Sequence, residues 1–212
     1  MALEIQAGTN GQHFAIANAG ARIVTRDKPS DSVFVLCTGL AFQYIQLSSG
    51  GRQILKFLQP GDVFSPISIF EEASHFSVTT LTSAQVSGFA RSEVRRRCFA
   101  DADAQSAIAK SIATDARDTT VLLAVLARRS AEERIAYLLL HLIRRIAARN
   151  VIREQRYSFP LRQQHIADAV GLTAVHVSRV LSLFRDRRIV VLSEGVLEVF
   201  DLPALERIGS LR

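Results

Sequence analysis

Between Gln163 and Arg179 the chain satisfies the spacing that two short helices need to cross steeply within about 20 residues. The first helix must carry a small residue where the second passes over it, and Ala167 stands there. Four residues on, Gly171 supplies the positive φ that the turn demands. Ile166, Val170, Leu172, Val177 and Val180 fall at the positions that such a pair buries between its helices, and Thr173 stands where an N-cap of the second helix is needed. A bland alternative is a helical hairpin in a core. The fixed offsets favour a helix-turn-helix whose second helix begins near Thr173.

Charge points the same way. Residues 1–127 carry 11 Lys/Arg and 11 Asp/Glu, so they are neutral, whereas residues 128–188 carry 13 Arg against 5 acids. Residues 189–212 carry 2 Arg and 4 acids, so the whole excess of positive charge lies in the segment that holds the motif. A polyanion such as double-stranded DNA is the expected partner. A solvated arginine-rich surface is the competing reading, because Arg outnumbers Lys 23 to 3 along the chain.

With Thr173 as N-cap, Ala174, His176, Ser178, Arg179 and Ser182 include the side chains able to face outward on the second helix. Arginine donates two hydrogen bonds to guanine O6 and N7, which gives Arg179 the expected base-reading role. His176 and Ser178 are expected at bases or phosphates, and Arg162 and Gln163, opening the first helix, at phosphates. Ile189 to Leu192 and Val196 to Phe200 flank Ser193-Glu194-Gly195 as a β-hairpin wing would.

Elsewhere, from about Gly20 to Phe89, short apolar runs such as Val33 to Cys37, Ala41 to Leu47 and Ile54 to Leu58 end at turn residues. Pro60-Gly61 suits the centre of a type II turn. This spacing predicts an antiparallel sandwich or roll. From Asp101 to Arg128 there is no Pro or Gly, and Ala109, Ile112, Ala116, Thr119, Leu123 and Leu126 recur at steps of three and four. Such a narrow seam packs either on the chain's own β-domain or on a second copy; no second helix in sequence meets it, which favours a homodimer. Ser130 with Glu133 three residues later forms a capping-box pattern, so a new helix runs from there to about Arg149, burying Ile135, Leu138, Leu139, Leu142 and Ile146.

The expected fold is α+β: an N-terminal antiparallel β-roll (jelly-roll) domain over residues 1–100, a dimerisation helix over 101–128, and a winged helix-turn-helix over 129–212. No apolar run is long enough for a membrane span and the N-terminus lacks signal-peptide character, so a cytoplasmic location is expected. Cys37 and Cys98 are too far apart in sequence, and too few, for a metal-ligand pattern. No cofactor and no metal are expected.

This order of parts resembles the Crp/Fnr family of bacterial transcription regulators. Pro60-Gly61-Asp62-Val63-Phe64 followed by Ile69-Phe70-Glu71-Glu72 is similar to the family's β-roll signature. Ala131-Glu132-Glu133-Arg134-Ile135-Ala136 resembles the start of its post-dimer helix, and Gly171 to Arg179 resembles its recognition helix. The resemblance implies a homodimer that binds palindromic promoter DNA and meets RNA polymerase.

The departures are equally specific. Members that bind cyclic nucleotides hold the ribose with a Gly-Glu pair and the phosphate with an Arg-Ser pair, where this chain has Ser65-Pro66 and Phe76-Ser77. Proline cannot accept the ribose hydroxyls and phenylalanine cannot neutralise a phosphate. Only Ser77, with Thr119 and Thr120 on the dimer helix, survives of that set, so cyclic AMP in the usual mode is not expected. Two cysteines cannot supply the four ligands of the oxygen-sensing branch. The haem-sensing branch's Cys and His positions hold Ser65 and Ile67, and His75 stands alone as a surface histidine. Many relatives carry a glutamate where Val175 stands, so a different half-site is expected at that base pair.

Two rivals come from other classes. A jelly-roll oxygenase needs two or three histidines and a carboxylate around one metal, but the β-region has only His13 and His75. A β-roll small-molecule sensor acting through protein contacts, with little DNA binding, is the remaining alternative.

Overall fold

Alternating apolar residues and the turns between them build the N-terminal half into strands. The structure, a computed structural model, describes residues 4–7, 12–64, 66–148 and 155–210. It divides into two compact units, Met1–Thr120 and Val121–Arg212, the division falling inside one long helix.

The first unit contains β1 (Glu4–Ala7), β2 (Gln12–Ala17), β3 (Arg22–Val24), β4 (Ser32–Thr38), β5 (Ala41–Gln46), β6 (Arg52–Leu58), β7 (Ser77–Thr80) and β8 (Ala84–Ala90). These pair antiparallel into two four-stranded sheets, β1-β2-β8-β4 and β3-β7-β5-β6. Leu36, Leu58, Phe64, Val78 and Val86 form the core, with Phe34 and Phe76 packed against it. This is the expected roll, but it starts earlier than Gly20. β2 buries Ala15 and Ala17, whose small side chains give a weak apolar signal in sequence. At the Pro60-Gly61 turn, Gly61 has φ +91° and its N–H donates to the Leu36 carbonyl at 2.7 Å.

After β8 come α1 (Arg91–Ala100) and α2 (Ala102–Arg128). Asp101 separates them, its carboxylate accepting the Asp103 N–H at 2.9 Å and so starting α2. Lys56 on β6 pairs with Asp115 on α2.

The second unit opens on the end of α2 and continues with α3 (Ala131–Ala147), β9 (Arg156–Ser158), α4 (Gln163–Val170), α5 (Ala174–Asp186), β10 (Val190–Ser193), β11 (Val196–Val199) and α6 (Leu202–Gly209). The capping box is present in full: Ser130 Oγ accepts the Glu133 N–H at 3.3 Å, and a Glu133 carboxylate oxygen accepts the Ser130 N–H at 2.8 Å. α3 buries Ile135, Leu138, Leu139 and Leu142, while Ile146 is half-buried and Arg149 lies outside the described residues. The wing is a three-stranded sheet, β10-β11-β9. Its third strand was not legible, since three residues carry no periodicity; Tyr157 is placed by pairing with Leu197. α6, also not expected from sequence, packs chiefly on α3.

Candidate nucleic-acid interface

α4 and α5 meet at 106°. That angle rests on the turn between them. Gly171 has φ +65° and ψ 41°, its N–H reaching back to the Ala167 carbonyl. Thr173 then caps α5, its hydroxyl accepting the His176 N–H at 3.2 Å. Ile166, Ala167, Val170 and Val177 are at most 1% exposed, so the crossing is a packed one. At the other end of α4, His165 Nδ1 accepts the Arg162 N–H at 3.1 Å. A histidine in the capping role had no sequence signal, because the usual partners are Glu and Gln.

One open groove on this pair is lined by Gln163, Ala174, Val175, Ser178, Arg179 and Ser182, together with Leu183 and Asp186. Six of the nine side chains expected at DNA therefore share one surface. Arg162, Thr173 and His176 are exposed but do not line it. Asp186 was missed; it lies eleven residues after Val175, which returns it to the same helix face. Its carboxylate is 3.4 Å from Arg185 Nε.

Several arginines of this unit are already engaged. Arg129 pairs with Glu133, Arg144 with Glu206 and Arg187 with Glu132. Arg134 donates to the carbonyls of Arg129, just past α2, and of Val170, the last residue of α4. Arg156, Arg162, Arg179 and Arg188 are exposed, and among the described residues no hydrogen bond or ion pair engages the Arg179 guanidinium. Arg153 lies outside the described residues. The positive charge that remains uncompensated is thus available to phosphates and base edges.

The expected effector positions are less coherent. Ser65 lies outside the described residues. Pro66 is buried, and Phe76 packs against the β-roll core. Ser77 is buried, with its hydroxyl accepting the Arg26 N–H at 3.1 Å. Thr119 and Thr120 are exposed, donating to the carbonyls of Asp115 and Ala116 one turn back. Such a set offers a cyclic nucleotide neither a cation for its phosphate nor a carboxylate for its ribose, so the group does not fit these residues.

On α2, Ala109, Ala116, Thr119 and Leu123 of the expected seam are exposed, and Ile112 and Leu126 are half-buried. Leu123 is 68% exposed. Among the described residues no three His, Cys, Asp or Glu side chains gather as metal ligands would. No single helix among them is long and apolar enough to cross a membrane.

A β-roll followed by a long helix and a winged helix-turn-helix defines a class of DNA-binding regulators, and comparison with known proteins agrees. Residues 16–101 match the cyclic nucleotide-binding domain and residues 133–208 the Crp-like helix-turn-helix domain. The transcriptional activatory protein AadR of Rhodopseudomonas palustris is 34% identical over 180 residues, covering 82% of this chain and 72% of AadR. The nitrogen fixation regulation protein FixK of Rhizobium meliloti is 29% identical over 205 residues, 91% of this chain and 89% of FixK. The solved structure of FixK2 from Bradyrhizobium japonicum superposes with a TM-score of 0.85 at 24% identity, covering 94% of this chain and 98% of that one. The chain belongs to the Crp/Fnr family of DNA-binding transcription regulators.

Proposed function

We propose that two copies of this chain join along the α2 seam and read a palindromic promoter site, each inserting α5 into the major groove. The observation that carries this reading is the groove on α4 and α5, where Gln163, Ser178, Arg179 and Ser182 face solvent on one surface. Arg179 donates to a guanine edge, Ser178 and Ser182 to bases or phosphates, and Gln163 and Arg162 to the backbone. Two recognition helices on one dimer read half-sites roughly 34 Å apart. The exposed Leu123 supports a seam completed by the second copy, since burying a leucine contributes about 1.5–3 kcal/mol.

Binding is cytoplasmic and precedes contact with RNA polymerase. It does not use cyclic AMP in the usual mode, because Pro66 and Phe76 replace the groups that hold the nucleotide. Adding cyclic AMP should leave both Tm and DNA affinity unchanged; a clear upward shift of either contradicts this part.

Salt dependence tests the DNA reading. Affinity for sheared genomic duplexes should fall steeply with salt, about 0.9 log unit of slope per phosphate contact. Arg162→Ala should flatten the slope by about one contact. A flat salt response contradicts the reading.

A further inference from the structure

Val175 is 62% exposed in the first turn of α5, while Val177 and Val180 on the opposite side are 0% and 7% exposed. A lone exposed valine is ordinary on a protein surface. This one is not ordinary in its place. It lies on the same groove as Arg179 and Ser182, at the i, i+4 and i+7 positions of one helical stripe. Its neighbour in the groove is Ala174, so the first turn of the stripe presents no side-chain donor or acceptor.

An aliphatic surface is selective in the major groove. Most base edges there are hydrogen-bonding groups, and covering one with an alkyl group removes its water without a replacement. Thymine alone presents a methyl group, on C5. A valine packed on that methyl gains apolar burial, and the same valine on cytosine or guanine leaves a polar edge unpaired.

We propose that Val175 is a specificity-determining residue, its isopropyl group packing on a thymine 5-methyl in each half-site. Four residues of helix rise about 6 Å, so the thymine lies roughly two base pairs from the guanine that Arg179 reads. The inference rests on the reading that α5 enters the major groove.

Uracil differs from thymine only by the missing 5-methyl, which makes it the direct probe. The purified full-length chain first selects its preferred duplex from a random-core library. Each thymine of one half-site, on either strand, is then replaced in turn by uracil. One replacement should weaken wild-type binding about fourfold, as expected for one buried methyl. The Val175→Ala protein, checked for an unchanged Tm, should discriminate less than about twofold at that position. If no uracil weakens the wild-type protein, or if Val175→Ala keeps the full discrimination, the inference is overturned while the DNA reading stands. If the library yields no enriched duplex, the major-groove reading fails and takes the inference with it.

Discussion

Gly171 holds φ +65°, and a Cβ built there would meet nothing nearer than Arg134 Nη1 and Leu126 Cδ2, both at 3.8 Å. Space is therefore not what selects glycine; backbone conformation is. Gly171→Ala should cost about 1–2 kcal/mol, the penalty of a left-handed L-residue, and lower Tm with no loss of specificity in the folded protein. Arg179→Ala should behave in the opposite manner. The side chain is exposed and engages no partner among the described residues, so Tm should stay unchanged. Discrimination between the preferred duplex and mixed DNA should drop by about 1–3 kcal/mol, read as a ratio of two Kd values at one salt concentration. Gly171 was legible in sequence because the turn's need for a positive φ is fixed by spacing, and the same spacing puts Arg179 on an exposed face of α5. The His165 cap was not, since it depends on which way a side chain turns at a helix end; Asp186 lay within reach of the helical period that places Val175 and was passed over.

Among the elements, α3 carries the best-defined cap. Removing the hydroxyl with Ser130→Ala should cost about 1 kcal/mol of stability in denaturant unfolding. The Glu133 carboxyl is held at about 2, below its ordinary 4.5, first by the Ser130 backbone N–H and then by the Arg129 guanidinium. A depressed folded value means the stabilisation is complete above about 4.5 and is lost as pH falls toward 2. With its side chain about one-third exposed, at 33%, solvent weakens the effect, so only its direction is predicted. Stability measured from pH 6 down to pH 2 should decline less steeply in Glu133→Gln than in the wild type. Equal slopes would contradict the assignment. The capping box and both wing strands β10 and β11 stood out in the sequence through local chemistry. β9 did not, because Arg156-Tyr157-Ser158 becomes a strand only through its pairing with β11.

At the scale of the whole molecule, the proposed dimer rests on the seam on α2. Leu123→Glu should leave each chain folded, since the position is exposed in the single copy, and should shift sedimentation from dimer to monomer. DNA affinity should fall by well over tenfold, because each half-site contributes its own contacts and the second is reached at high effective concentration only within a dimer. The order of β-roll, long helix and winged motif was readable along the chain because each part has its own periodicity. What a β-roll responds to is not written in periodicity. It depends on a few side chains converging from distant strands, and here Pro66 and Phe76 bring neither a carboxylate nor a cation.

The central claim is that Arg179 on α5 meets guanine in the major groove, once per half-site. Methylation of guanine N7 in the selected duplex, followed by separation of bound from free DNA, reads that contact directly. The account predicts interference at guanines in two clusters about one helical turn apart, absent in Arg179→Ala. Tight binding with no N7 interference, or interference unchanged by Arg179→Ala, would contradict it.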